Sequence, residues 1–440
     1  MWSATRTAQA ATTAAPPANR MGTPVPADTG TDLAQWWSRF NDPQLTELVS
    51  QALQANTSIG VAQAALQQSR ALRDVQVAST LPGLSASGAV QRSQSGSQAG
   101  ANTFKAGLDA SWEPDIFGRQ RSTTSATEAD AQAAQASLGN VQVSVAAEVA
   151  LAYIQLRGLQ TQLQIARDNL ASQQATLQIT QWRHQAGLAT VLDVEQALTA
   201  SEQTAAQVPA LQTSLDTTRH SLAVLTGQTP DALQALAATA RPVPQAAPDL
   251  ALSIPADTLR QRPDVRAAEL KVQAALARVS AADAARYPSF ALNGSLGLSA
   301  LTLGSLGSAP VVSALLASVS VPLFDGGATN AQVQAQTAAL AQAQASHRAA
   351  ILAALKDVED ALVALSGDLA RQVRLQSAAS AAAKAAQLAR QRYASGLIDF
   401  QTVLQTQRTL LTTQDSLASN QASLSADHVR LYKALGGGWQ

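Results

Sequence analysis

The spacing of apolar residues changes twice along the first half of the chain, and the second half repeats the changes. From Asp42-Pro43, a capping residue followed by proline at a first helical turn, a three-and-four spacing runs to about Ser79 and predicts one helix. The period then drops to two. Leu84, Ala86, Gly88 and Val90, and after them Phe104, Ala106, Leu108, Ala110 and Trp112, alternate with smaller or polar residues. This predicts two strands, 83–94 and 102–114, joined by a Ser- and Gly-rich loop within residues 91–102. Beyond Gly118 the period is helical again and settles into heptads. Val149, Leu156, Leu163, Leu170 and Leu177 recur every seventh residue, with Val145, Ala152, Leu159 and Ala166 on the companion seam. Long helices are predicted over 119–183 and 190–226.

The same order returns later. A helical stretch from Pro263 to about Arg286 leads to strands over 288–299 and 311–323, with Phe290, Leu292, Gly294, Leu296 and Leu298, then Val319, Val321 and Leu323, on one parity and a Gly-rich loop over 299–308. Long helices follow over 327–393 and 398–435, carrying Leu355, Val358, Leu362, Leu365 and Leu369, then Val403, Leu410, Leu417, Leu424 and Leu431. Direct matches mark the duplication. Pro82 corresponds to Pro288, Gly118 to Gly326, and Arg183-His184-Gln185-Ala186-Gly187-Leu188 to Arg392-Tyr393-Ala394-Ser395-Gly396-Leu397. The organisation read from this is a disordered segment 1–35, a first repeat 36–240, a Pro-rich linker 241–255 and a second repeat 256–440.

A helix over 119–183 would be about 98 Å long, far beyond an ordinary globular helix. Its two flanking helices are each little more than half as long. They are expected to stack end to end along it, so that each copy is an elongated antiparallel coiled coil with a strand pair at one end and a glycine turn at the other. Four strands of about ten residues are long enough to cross a bilayer when tilted, but too few to close a barrel. Open edges in hydrocarbon leave backbone groups unpaired, so several chains would have to share one barrel. The alternative from pattern alone is a helical rod capped by exposed hairpins, a non-conducting scaffold or surface adhesin.

Composition narrows the chemistry. The 440 residues hold 30 Lys+Arg against 30 Asp+Glu, with 14% charged and 4% aromatic residues. This balance provides no basic surplus for a phosphate backbone, and no nucleic-acid partner is expected. There is no cysteine. His184, His220, His347 and His428 are scattered without metal-ligand spacing, so no metal site or cofactor is expected. No nucleophile grouping, phosphate loop or dinucleotide motif is present, and an enzyme is not expected. No stretch has the continuous apolar length of a membrane helix, residues 311–324 coming nearest. The first residues lack the apolar core of a signal peptide, which leaves a cytoplasmic chain or one whose export segment is missing.

Five motifs, in order, resemble those of the outer-membrane efflux channels, the TolC-like outer-membrane factors, in their NodT-type subgroup. They are Trp36-Trp37-Ser38-Arg39-Phe40-Asn41-Asp42-Pro43, Trp112-Glu113-Pro114-Asp115-Ile116-Phe117-Gly118, Arg260-Gln261-Arg262-Pro263-Asp264-Val265, Val321-Pro322-Leu323-Phe324-Asp325-Gly326-Gly327 and Arg392-Tyr393-Ala394-Ser395-Gly396-Leu397. The resemblance implies a mainly α protein with membrane β. A long helical coiled-coil barrel would join four strands per chain in a homotrimeric twelve-stranded β-barrel. It also implies a place in the outer membrane of Gram-negative bacteria, in contact with its lipid and extending into the periplasm. A periplasmic adaptor and an inner-membrane pump would be the partners, and the channel a passive conduit for small molecules.

The resemblance assigns residues as well. Ala186, Gly187 and Leu188, with Ser395, Gly396 and Leu397, match the tips that meet the adaptor. Asp193 and Tyr393 match positions that in some relatives join neighbouring helices and hold the tunnel end closed. Gln405 stands where many relatives have an acidic residue, which leaves Asp193, Glu195 or Asp399 as sources of an acidic constriction. Relatives of this subgroup usually carry an acylated cysteine after a signal peptide, so the export segment is expected upstream of Met1 or already removed.

Overall fold

The computed structural model describes residues 35–94, 96, 99–246 and 261–437. The expected disordered segment 1–35 lies outside these residues except for Gln35, as do 247–255 of the expected linker and 256–260 beyond it.

Asp42 opens α1 (Pro43–Ala55), its carboxylate accepting from the amides of Gln44 at 2.9 Å and Leu45 at 3.3 Å. The single helix expected to Ser79 is not continuous. Asn56, with ψ at 130°, ends α1 and caps α2 (Thr57–Ala78), accepting from Ser58 N at 2.8 Å. Its amide nitrogen donates to Leu225 O at 2.8 Å, at the far end of another helix. The seam stays in phase across the break, Ala52 and Ile59 lying seven residues apart with Asn56 at the position between them, so the period alone does not mark it.

Strands β1 (Gly83–Ser93) and β2 (Ala101–Trp112) lead to α3 (Arg119–Gln185) and α4 (Val191–Leu225). A short α5 (Gln234–Ala238) follows. Then come α6 (Pro263–Ala284), β3 (Ser289–Ala300), a 3₁₀ turn Leu303–Ser308, β4 (Val311–Ser320), α7 (Ala328–Ala394) and α8 (Phe400–Ala434). The corresponding helices have equal lengths: α2 and α6 have 22 residues, α3 and α7 have 67, and α4 and α8 have 35. The equivalence of Gly118 with Gly326 shifts by one. The residues that precede α3 and α7 in the left-handed conformation are Gly118 (φ 82°) and Gly327 (φ 91°).

Within each half the two shorter helices pack along the long one, and α3 also packs against α6 and α8. Where the shorter helices meet end to end, both halves use a polar clasp. Asn56 reaches Leu225 O in one, and Arg262 Nη1 donates to Ala434 O at 2.8 Å in the other. The main core lies at this level. Trp36, Leu45, Val49 and Ile59 pack against Val149, Tyr153 and Ile154 of α3 and Val429 and Tyr432 of α8. Trp36, Trp37, Phe40, Tyr153 and Tyr432 meet here, Trp36 stacking on Tyr432 with centroids 5.4 Å apart. Buried Arg157 ties α5 to this core, donating to Thr239 O at 2.8 Å and Gln160 Oε1 at 2.7 Å, while Tyr153 donates to Asp42 at 2.7 Å. Burial, with the Asp42 bond, pushes the Tyr153 phenol up to about 12.

The four strands form one antiparallel sheet in the order β1-β2-β3-β4. Pairing of β2 with β3 joins the two halves, with Leu108 opposite Leu296. Among the described residues α3 is the one helix long and apolar enough by length and composition to cross a membrane, and half of that stretch is buried inside the chain. Its apolar content is spent on helix packing.

Candidate functional site

Alternation along a strand combines with register to decide what each face of the sheet presents. Pairing places Leu84 beside Ala110, Val90 beside Phe104, Trp112 beside Leu292 and Gly294 beside Leu315. One face therefore runs Leu84, Ala86, Gly88, Val90; Phe104, Ala106, Leu108, Ala110, Trp112; Phe290 through Leu298; and Val311 to Val319, with Ser313 its one hydroxyl short of the strand ends. The opposite face carries Ser85, Ser87, Thr103, Lys105, Asp109, Asn293, Ser295 and Ser318, with Val312 and Leu316 of β4 its large apolar side chains. Large apolar side chains on the first face stand open, Leu84 at 72% and Leu315 at 76%. In water this would be a costly surface; against lipid on one side and water on the other, each face has its solvent. Both edges, β1 and β4, lack a neighbouring strand among the described residues.

Where strands meet helices, apolar and aromatic residues form a band. Trp112 donates its indole N–H to Thr80 O at 3.1 Å, Phe117 stacks on Tyr287 at 5.0 Å, and Leu323 and Phe324 are each 93% exposed. Amphipathic rings at a strand end suit a membrane–water boundary. Asp115 and Asp325 cap α3 and α7 just beyond it. Asp325 accepts from the Thr329 hydroxyl and from the amides of Thr329 and Gly327, and these bonds hold its carboxyl at about 2. Burial pushes the Asp115 carboxyl up, but the Arg121 and Gln120 amides outweigh it and keep the group below its ordinary value.

At the other end of the long helices are two turns of the same construction. Gly187 (φ 71°) and Gly396 (φ 76°) adopt the left-handed conformation, and Leu188 N and Leu397 N bond back to Arg183 O and Arg392 O at 2.7 and 2.9 Å. Ala186, Gly187, Leu188, Ser395, Gly396 and Leu397 are all exposed.

Two of the three acidic candidates, Asp193 and Asp399, are occupied as helix caps. Asp193 accepts from the Thr190 hydroxyl at 2.8 Å and its amide at 2.9 Å, completing a capping box on α4. In the second half the partners exchange places: Asp399 caps α8, accepting from the Thr402 amide at 2.9 Å and its hydroxyl at 2.6 Å. The Thr402 hydroxyl and amide hold the Asp399 carboxyl below its ordinary value. Glu195 and Gln405 are exposed on α4 and α8.

Tyr393 is different. It is buried, its hydroxyl 3.2 Å from Thr180 Oγ1, its carbonyl accepting from Arg183 at 2.7 Å, its ring 4.7 Å beneath the Arg183 guanidinium and edge-on to Phe400. It thus joins α7 to α3, whereas Asp193 bonds to Thr190 within its own helix start. Thr180, Arg183 and Phe400 were not among the residues expected here, nor was the polar ladder above them. Gln162 donates to Asp415 at 2.9 Å, Asn169 to Gln414 at 2.9 Å, and Gln407 to Thr176 at 2.9 Å. Gln162, Asn169, Thr176 and Arg183 are seven residues apart, a signal present in the sequence but hidden when only the leucine heptads are followed.

Comparison with known proteins agrees with this geometry. The family described as outer membrane efflux protein matches residues 48–228 and 254–437. The chain is 33% identical over 426 residues to the pyoverdine export outer membrane protein OpmQ of Pseudomonas aeruginosa, covering 93% of this chain and 88% of that one. It is 29% identical over 410 residues to nodulation protein T of Rhizobium leguminosarum bv. viciae, covering 92% and 85%. The solved outer-membrane channel OprN superposes with a TM-score of 0.87 at 35% identity, covering 92% of this chain and 93% of that one. The chain therefore belongs to the outer membrane efflux protein family, the outer-membrane channels that serve as homotrimers in tripartite efflux systems with a periplasmic adaptor and an inner-membrane pump.

Proposed function

We propose that each chain supplies one third of a passive, water-filled conduit and performs no covalent chemistry of its own. The observation that carries this is the four-stranded sheet, apolar along one face, polar on the other over β1, β2 and β3 with Val312 and Leu316 of β4 as its large apolar side chains, and open at both edges among the described residues. In the trimer β4 of one copy pairs with β1 of the next, which leaves no strand edge in hydrocarbon. The helices follow the same logic. Val61, Leu72 and Val75 of α2, and Leu352, Val363 and Val373 of α7, stand exposed in one chain, and the next copy covers them. Energy comes from the pump, and the pump and adaptor together select the cargo.

The tips Ala186, Gly187, Leu188, Ser395, Gly396 and Leu397 receive the adaptor. Support comes from their exposure, their matched turn geometry and their position farthest from the sheet. Tyr393, with Thr180 and Arg183, holds the tunnel end closed, supported by its burial between α7 and α3. Asp193, Glu195, Asp399 and Gln405 line the approach to that closure, with Asp193 and Asp399 also serving as caps.

The test pairs conductance with cross-linking. Purified protein in planar bilayers is expected to form pores, and cysteine pairs placed on β1 and β4 of this cysteine-free chain are expected to trap trimers. Absence of conductance together with monomers alone in cross-linking would sink the conduit and favour a non-conducting rod.

A further inference from the structure

On the polar face of the four strands only two side chains are charged, Lys105 and Asp109, both on β2. Asp109 sits between Ser85 and Ser295 and accepts a hydrogen bond from Ser87 at 2.8 Å. Lys105 sits between Ala89 and Ser299, and its ammonium makes neither an ion pair nor a hydrogen bond among the described residues. Because β2 runs from the interstrand loop toward the helices, Lys105 is nearer the outer mouth and Asp109 is deeper.

The dimensions follow from general barrel geometry and rest on the conduit reading above. Twelve strands about 4.8 Å apart and tilted by about 40° close on a backbone radius of about 12 Å. A lysine stem reaches roughly 6 Å inward, which leaves three ammonium groups about 6 Å from the axis. That is within the Debye length of about 8 Å at physiological salt, so the three charges act on the whole cross-section. Four residues of strand separate the Asp109 ring by about 13 Å along β2, or about 10 Å along the axis, too far to cancel the field at the lysines.

We infer that Lys105 sets the charge preference of the barrel, forming near its outer mouth a ring of three ammonium groups that favours anionic solutes over cations. The ring is independent of the tunnel end and acts on any solute that reaches the barrel. Its effect is electrostatic, so it is strong at 0.15 M salt and fades at about 1 M, where the Debye length falls to about 3 Å.

The experiment measures reversal potentials of the purified trimer under a potassium chloride gradient, comparing the unchanged protein with Lys105→Gln and Lys105→Glu. A progressive move toward potassium permeability is expected near 0.15 M and is expected to shrink near 1 M. Equal reversal potentials in conducting trimers overturn the inference while leaving the conduit intact. A trimer closed at its tunnel end is read through Ser111→Cys, on the same face and deeper, labelled from the outer side with anionic and cationic thiosulfonates. Adding Lys105→Glu is expected to lower the anionic-to-cationic rate ratio several-fold, and an unchanged ratio again overturns the inference. If Ala106→Cys, on the apolar face, labels as readily as Ser111→Cys in chains that form no trimer, the conduit reading itself is lost, and this inference with it.

Discussion

Leu108→Lys tests the assignment of the sheet faces most directly. Leu108 lies within β2, opposite Ala86 and Leu296, at the centre of the apolar face. Near the bilayer midplane a lysine on the lipid side of a barrel costs about 2–4 kcal/mol. Three copies per trimer raise this to about 6–12 kcal/mol, or roughly four to nine powers of ten in the insertion equilibrium. Ser87→Lys supplies the same side chain to the polar face on the neighbouring strand, where it meets water and Asp109. The assay is folding into liposomes, scored as trimer on unheated gels and as the urea concentration that extracts the protein. Leu108→Lys is expected to abolish trimer insertion and Ser87→Lys to leave it near the unchanged level. Normal insertion of Leu108→Lys, with loss of insertion in Ser87→Lys, would reverse the faces and refute the argument.

Other substitutions test the packing that supports the conduit. Asn56→Ala removes both the cap of α2 and the bond to Leu225 O, and a loss of about 1–3 kcal/mol is expected by urea titration, with Asn56→Asp restoring only the cap. Thr176→Val leaves the Gln407 amide buried without its partner, and a cost of about 1–3 kcal/mol is expected, whereas Thr176→Val with Gln407→Leu is expected to cost less than the two singly; strict additivity would show the ladder rung to be idle. Burial raises the Asp427 carboxyl above its ordinary value, further helped by Asp368 and opposed by Arg430. The folded state therefore holds its proton to higher pH than the unfolded chain, and stability falls as pH rises from the ordinary carboxylate value through the raised one. Asp427→Asn is expected to melt higher than the unchanged protein at pH 7 and to lose that advantage near pH 3.5; a lower melting point at pH 7 would show that the Arg430 pairing outweighs the burial.

Period two over 83–94 and 102–114, and heptads over 119–183 and 327–393, locate the strands and long helices to within a few residues, because a side chain's face follows from backbone repeat alone. The glycines at 187 and 396 were equally legible, since a helix ending in a tight reversal needs a residue at ease with positive φ. What periodicity cannot state is which partner a face meets. Pairing of β2 with β3, the fusion of four apolar stripes into one wall, and the clasp of Trp36 on Tyr432 all join residues distant in the chain. The same holds for the candidate site. The family resemblance gave Asp193 and Tyr393 the same expected role as links between helices, yet Asp193 is held by Thr190 within its own turn while Tyr393 is buried against Thr180 and Arg183 of another helix. A hydrogen-bonding group takes whatever donor or acceptor the fold brings within about 3 Å, so the local pattern fixed where such groups stand along the chain and only the packing of distant segments decided what they hold.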